Sequence, residues 1–141
     1  MQAEFLMIND LVQSNKGEII KVESISTKRQ HRKVGYHRKC DMYKMKYIRQ
    51  GQISPIILTS EIIKKNDFYN QEAYGYQRIA NQALGERHLT MYVHDDAWVM
   101  GIGFPLRDDD LDLIHGVKYV HEWQQLLRRC GMKDLANNIK I

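Results

Sequence analysis

Residues 87–104 read RHLTMYVHDDAWVMGIGF, and this stretch indicates the fold class more clearly than any other part of the chain. Leu89, Met91 and Val93 alternate with more polar neighbours, which is the period of a β-strand with one buried face. The pair Asp95-Asp96 then supplies a turn before a second apolar segment begins. The stretch therefore predicts a β-hairpin centred on the two aspartates.

A helical pattern follows near the end of the chain. In residues 118–131 apolar side chains recur three or four positions apart, which predicts a helix with one buried face. That face consists of Tyr119, Trp123, Leu126, Leu127 and Cys130. Gly131 suits the left-handed position that commonly ends a helix. Residues 132–141 predict a further short turn of helix, anchored by Leu135 and Ile139.

A short helix is predicted after Pro55, at about residues 60–65. Thr59 is a good N-cap because its hydroxyl can accept a backbone N–H of the first turn. Asn66 is expected to end the helix in a left-handed conformation. Each of these signals lies within one turn of the helix that it delimits.

Extended segments occupy the N-terminal third of the chain. Residues 10–25 predict a strand, a turn at Gly17 and a second strand, and residues 34–50 are again extended in character. Several short strands in so few residues favour a small SH3-like set. We expect an α+β fold of two lobes sharing one core. Residues 1–54 form the SH3-like lobe with a basic hairpin, and residues 55–141 form the lobe with the short helix, the hairpin and the C-terminal helix.

Composition places the chain among ordinary globular proteins, with 141 residues, 43% of them hydrophobic and 27% charged. A chain of this length buries roughly 68% of its unfolded surface without metals or disulfides. Cys40 and Cys130 form no CxxC pair, which excludes disulfide scaffolds and cysteine-rich zinc modules and favours a reducing cytoplasm. Neither a signal peptide nor an apolar run of about 18 residues is present, so we expect a cytoplasmic protein with no membrane contact.

Charge is distributed unevenly along the chain, although the formal net charge is only +4. Residues 28–49, called the basic segment here, hold nine cations and the single acid Asp41, so they carry +8 against −4 for the remainder. Tyrosines and histidines are interleaved with the cations, a pattern suited to holding phosphates and stacking bases. The predicted nucleic-acid-binding residues are Lys28, Arg29, Arg32, Lys33, Tyr36, Arg38, Lys39, Tyr43, Lys44, Lys46 and Arg49.

Two other interpretations of the basic segment stay open. Its cations are equally suited to an acidic protein partner, or they form a solvated face that serves solubility. No signature of a DNA-reading or RNA-reading module accompanies the segment, so the sequence predicts no base preference. Oligomeric state is not predicted either.

The sequence gives weaker support for a metal site or a catalytic nucleophile than for nucleic-acid binding. The cluster Asp108–Asp112 has carboxylates suited to a hard cation but lacks the glycine and glutamate of an EF-hand loop. His121-Glu122 begins the zinc motif HExxH, which Gln125 breaks at the fifth position. Only the fold decides whether four of the histidines lie close together, namely His88, His94, His115 and His121. A metal-dependent hydrolase is therefore the last alternative, and no catalytic residue, metal or cofactor is predicted.

The C-terminal sequence KYVHEWQQLLRRCGMKDLANNIKI, residues 118–141, resembles the tail of small uncharacterised proteins encoded by phages, prophages and conjugative elements of gut Bacteroidota. Two further motifs of the chain are similar to motifs in the same group of proteins. The strand-pair motif comprises Asp10, Leu11, Val12, Gly17, Ile19, Lys21 and Val22. The mid-chain helix start comprises Pro55, Ile56, Leu58, Thr59, Glu61 and Ile62.

The resemblance implies a mobile-element origin and a bacterial cytoplasm. It supplies no catalytic residues, and neither the basic segment nor Asp108–Asp112 belongs to its pattern. We therefore expect a non-enzymatic accessory protein that binds nucleic acid through residues 28–49. The alternative is an interaction module that docks on an acidic host or phage protein, for example to modulate a defence system.

Overall fold

The α+β class is confirmed in the computed structural model, which describes residues 6–26, 32–38, 41–71, 75–79, 88–103 and 112–141. The strands are β1 (Leu11–Ser14), β2 (Ile19–Lys21), β3 (Ser24–Ser26), β4 (Lys33–Arg38), β5 (Asp41–Arg49), β6 (Ile53–Ser54), β7 (Tyr69–Gln71), β8 (Gly75–Ile79), β9 (His88–His94), β10 (Ala97–Gly103) and β11 (Asp112–Val117). The helices are α1 (Ser60–Lys65), α2 (Val120–Arg129) and α3 (Lys133–Asn137). A 3-10 turn spans Gln50–Gln52. None of the helices in these ranges is long and apolar enough to cross a membrane.

The described strands pair into three small antiparallel sheets. Their strand orders are β2-β1-β6, β3-β4-β5 and β11-β10-β9-β8-β7. The predicted N-terminal strand set is thus present, and it is divided between the first two sheets. Gly17 turns the chain between β1 and β2 as predicted, at a φ of +80° that glycine adopts without steric cost.

The chain divides into two compact units that alternate along the sequence. The first comprises Met1–Ile57 and Tyr119–Asn137, and the second comprises Leu58–Lys118 and Asn138–Ile141. Helices α2 and α3 therefore lie in the same unit as the N-terminal strands. The predicted lobes, divided at residue 54, stay a prediction.

In the first unit, one apolar cluster is shared by the β2-β1-β6 and β3-β4-β5 sheets. Its buried members are Leu6, Val12, Ile20, Val22, Val34, Tyr36 and Ile53, and Ile25 and Ile48 pack against them. Each fully buried aliphatic side chain stabilises the fold by about 1.5–3 kcal/mol. This cluster decides which face of each sheet points inward.

The C-terminal helix forms and ends as predicted, with Gly131 at a φ of +80°. Its buried face differs from the expected one. Trp123 and Leu127 are fully buried, but the buried set also includes Val120, His121 and Gln124, whereas Leu126 and Cys130 are half-buried. In α3 the expected anchor Leu135 is half-buried, because Ala136 and the preceding Met132 take the inward positions.

In the second unit, the hairpin of β9 and β10 is confirmed, with Asp95 and Asp96 both at positive φ, 50° and 59°. This is the conformation of a type I′ turn, which matches the twist of the flanking strands. Leu89 and Met91 are fully buried as expected, but Val93 is 58% exposed. The pairing of β8 with β9 ends at Met91, so Val93 extends beyond the neighbouring strand.

Helix α1 has the predicted bounds, and the Thr59 hydroxyl accepts the Ile62 N–H at 3.4 Å. Asn66, however, is not left-handed: its φ is −100°, and Asp67 takes the positive φ instead. The Asn66 side-chain amide donates to Ile62 O at 2.7 Å and to Lys140 O at 2.9 Å, and accepts from Lys140 N at 2.9 Å. Asn66 thus anchors the end of the chain rather than turning it.

Candidate nucleic-acid interface

The structure describes the predicted binding residues only in part. The side chains that it describes are those of Arg32, Lys33, Tyr36, Lys44, Lys46 and Arg49. Arg38 and Tyr43 are placed by their positions in β4 and β5. Lys28, Arg29 and Lys39 lie outside the described residues, and so does Cys40.

Register places some of these residues on a common face of the β3-β4-β5 sheet. Ser26, Lys33 and Arg49 form one row across the three strands, and Ser24, Gly35 and Tyr47 form the next. Residues directly opposite in an antiparallel sheet share a face, and so do residues two apart on one strand. We call the face that carries these two rows the outer face.

Tyr47 lies on the outer face with 60% of its side chain exposed. Its ring lies across the backbone of Gly35, because a Cβ built there would lie 3.1 Å from Tyr47 Cε1 and 2.9 Å from Met45 Sδ. The Ser24 hydroxyl would lie still closer to that Cβ, at 2.1 Å. A side chain at position 35 would therefore crowd Ser24, Met45 and the Tyr47 ring, and glycine leaves room for all three.

Lys33 and Arg49 are directly opposite each other in the row beside Tyr47. Like charges in this arrangement destabilise a sheet, since their side chains are close neighbours. Among the described residues, ion pairs join His37 with Glu23, His94 with Asp95 and Arg128 with Asp10, and none involves Lys33 or Arg49. The two cations therefore concentrate positive charge at one end of the outer face.

Glu23 and His37 occupy the other end of this sheet region. The Glu23 carboxylate contacts His37 Nδ1 and accepts the His37 backbone N–H at 3.3 Å. Glu23 N in turn donates to Gly35 O at 2.9 Å. The Glu23 carboxylate is therefore engaged with His37, and the sequence contained no local signal for this pair.

The opposite face of the same sheet carries different residues of the predicted set. Tyr36 is only 7% exposed and belongs to the apolar cluster, so its ring offers no free face to a base. Lys46 is directly opposite Tyr36 and shares its face. The described cations of the basic segment are thus divided between two faces of the sheet.

Tyr47 is one of the tyrosines interleaved with the cations of the basic segment, but it was left out of the predicted binding residues, although the alternation of β5 contained a further signal for it. In an extended strand, the residue two positions before Arg49 lies on the same face. Gly35 had no such signal, because its role depends on the pairing of β4 with β5. Register, which is a long-range property, brings both residues beside Lys33.

The described residues hold no group of three or more His, Cys, Asp or Glu side chains placed to hold a metal ion. His94 and Asp95 are exposed neighbours, with Nδ1 and Oδ2 3.2 Å apart. Glu122 has a structural partner, since its carboxylate accepts the Tyr119 N–H at 3.1 Å and caps α2. Asp108, Asp109 and Asp110 lie outside the described residues.

His121 lies on the buried face of α2, and its ring stacks on Tyr119 with centroids 5.8 Å apart. Burial lowers the pKa of His121, while the nearby carboxylates of Glu122 and Asp10 oppose that shift. Its Nδ1 atom has no hydrogen-bond partner within the part of the chain that the structure describes. The environment therefore favours a neutral ring that packs in the fold.

No protein-family model matches this chain, and comparisons with curated proteins and with solved structures likewise find no match.

Proposed function

We propose that this chain is an accessory protein of a phage or other mobile element that binds nucleic acid through the basic segment, in the cytoplasm of a bacterial host. The observation that supports the proposal most directly is the pairing of Lys33 with Arg49 beside the exposed ring of Tyr47. Two adjacent cations attract phosphates, and a neighbouring aromatic ring offers a surface to a base.

The electrostatics of Lys33 and Arg49 also favour an anionic ligand. A cross-strand pair of like charges reduces the stability of the free protein, and an anion between the two side chains removes the repulsion. A phosphate can accept hydrogen bonds from both side chains at once. Binding therefore relieves an unfavourable interaction in addition to forming favourable ones.

A salt titration of binding tests the proposal. The wild-type chain should bind a random-sequence oligonucleotide at about 50 mM salt and release it steeply as salt rises, because bound counterions are displaced by the cations. The double variant Lys33→Glu with Arg49→Glu should bind much more weakly. The absence of wild-type binding at low salt would contradict the proposal.

The matched control is the double variant Lys16→Glu with Lys133→Glu. Both lysines are exposed and lie outside the basic segment, and the change in net charge is the same. If both double variants lose equal affinity, the effect comes from overall charge and not from the outer face. Urea unfolding of all the variants verifies that each one folds.

An acidic protein surface is the competing partner. A polyglutamate chain of the same total charge as the oligonucleotide distinguishes the two, since it offers carboxylates without bases or phosphates. Stronger binding of the oligonucleotide than of polyglutamate supports the proposal. Equal or stronger binding of polyglutamate favours a protein-interaction module.

A further inference from the structure

The described strands of the β3-β4-β5 sheet bring an exposed aromatic ring and a pair of cations into adjacent rows of one face. We infer that this outer face binds single-stranded nucleic acid in preference to duplex, with one base stacked on Tyr47 and an adjacent phosphate held between Lys33 and Arg49. This inference rests on the proposed function and specifies its ligand.

The availability of base faces explains the expected preference. In a duplex both faces of each base are covered by the neighbouring base pairs, so a ring on a protein surface reaches a base only after it is unstacked. A single strand exposes these faces, and stacking on an aromatic side chain then contributes affinity without requiring a particular base. The Tyr47 ring is 60% exposed and therefore accessible to such a base.

The spacing of the two rows suits one nucleotide. Rows two residues apart on a strand are about 7 Å apart. This separates the Lys33 and Arg49 pair from the Tyr47 position by a length similar to one unit of an extended sugar-phosphate chain. A strand that stacks a base on Tyr47 can therefore place an adjacent phosphate between the cations.

Gly35 leaves room for the Tyr47 ring beside β4. With no side chain at this position, the Tyr47 ring lies against the β4 backbone with Ser24 and Met45 beside it. An alanine Cβ would come within 2.1 Å of Ser24 Oγ, 2.9 Å of Met45 Sδ and 3.1 Å of Tyr47 Cε1. Gly35→Ala therefore crowds Ser24, Met45 and the Tyr47 ring without changing any charge, and provides a second variant that tests the stacking role.

The experiment compares the affinity of each variant for an oligothymidylate and for a duplex of the same length at one salt concentration. Tyr47→Ala should weaken single-strand binding by about 5-fold to 150-fold and leave duplex binding unchanged, since one stacked base is lost. Tyr47→Phe keeps a ring and should retain the affinity. Gly35→Ala should show a smaller loss with the same selectivity.

Tyr69→Ala is the matched control, because Tyr69 is also an exposed tyrosine on a strand but lies in β7 of the other unit. It should leave both affinities unchanged. The variant Lys33→Glu with Arg49→Glu should reduce the single-strand salt slope by about 0.7, the value for the one phosphate contact that the two side chains share.

The outcomes separate this inference from the proposed function. If Tyr47→Ala leaves single-strand affinity unchanged while Lys33→Glu with Arg49→Glu abolishes binding, the stacking role is wrong and nucleic-acid binding through the basic segment survives. Equal affinity of the wild type for single strand and duplex likewise overturns the inference alone. If the wild type binds neither ligand, both proposals fail.

Discussion

Arg128 of α2 and Arg49 of the outer face of the β3-β4-β5 sheet differ in their surroundings, because Arg128 has two side-chain acceptors in the fold and Arg49 faces a second cation. Arg128 donates from Nη1 to Asp10 Oδ1 at 2.5 Å and from Nε to Asn137 Oδ1 at 3.3 Å. Arg49 is exposed and has a second cation, Lys33, directly across the strands. Arg128 therefore contributes to the stability of the fold, whereas Arg49 opposes it slightly and is available to a ligand.

The buried carboxylate of Asp10 makes the contrast sharper. It is inaccessible to solvent, and it accepts the Met7 N–H at 2.8 Å and the Gln125 side-chain amide at 2.7 Å in addition to Arg128. A buried charge is tolerated when it is paired and fully hydrogen-bonded. Position in the fold, and not residue type, therefore decides whether an arginine is engaged by a buried carboxylate or stays exposed beside a second cation.

Asp10→Ala should produce the largest effect on stability. It leaves the largely buried Arg128 without its carboxylate partner, which costs about 3–5 kcal/mol in the free energy of unfolding. Urea unfolding measures this loss. The double variant Asp10→Ala with Arg128→Met also removes the unpaired positive charge and should recover part of the lost stability. An equal loss in the single and double variants would show that the ion pair is not the cause.

Gln124→Met should produce the next largest loss. The Gln124 amide is fully buried, accepts from Leu11 N at 2.7 Å and donates to Asn9 O at 3.0 Å and Ala136 O at 2.8 Å. Each buried backbone group left unpaired costs about 1–3 kcal/mol. Gln13→Met, at an amide with a single exposed hydrogen bond, is the control and should change the unfolding free energy little.

Arg49→Glu should change the free energy of unfolding and the affinity for an oligonucleotide in opposite directions. An acid opposite Lys33 converts a repulsive cross-strand pair into an attractive one, which should raise the free energy of unfolding by about 0.2–1 kcal/mol. The same substitution should weaken oligonucleotide binding. Arg49→Gln should fall between the wild type and Arg49→Glu in both measurements, and a loss of stability in Arg49→Glu would contradict our account of the pair.

The His121 ring should produce a small dependence of stability on pH. Because burial lowers the pKa of His121 in the folded protein, the unfolded chain binds a proton more readily. The contribution of His121 to the free energy of unfolding is complete above the pKa of histidine in the unfolded chain, about 6.5. It is lost as pH falls through the lower pKa of His121 in the folded protein. Urea midpoints at pH 7.5 and 5.5 should therefore differ in the wild type.

His121→Gln is the test of that assignment, since glutamine does not titrate in this range. The difference between the two urea midpoints should become smaller in the variant. His94→Gln is the control, because His94 is exposed beside Asp95. An equal reduction in both variants would show that the buried site is not the source.

Features that depend on neighbouring residues were predicted well. The turn at Gly17, the bounds of α1, the hairpin at Asp95-Asp96 and the end of α2 at Gly131 each follow from a few adjacent residues. Backbone sterics and capping hydrogen bonds act within one turn, so a short stretch of sequence contains the whole signal.

Features that depend on distant partners were not predicted. Gln124 looks like a solvent-facing residue of an amphipathic helix, and its burial becomes favourable only because Leu11 and Asn9, more than 110 positions away, supply its hydrogen bonds. Asn66 similarly looks like a helix stop, but the chain end at Lys140 engages its amide. Neither partner is visible in the local pattern.

The amino-acid sequence by itself determined the α+β class, the positions of most turns and helix ends, and the concentration of charge in residues 28–49. The tertiary structure alone decided that Tyr36 enters the apolar cluster while Tyr47 lies exposed over Gly35, and that Lys33 is opposite Arg49. The physical reason is register: alternation divides a strand into two faces, but only packing against the rest of the fold selects the buried one.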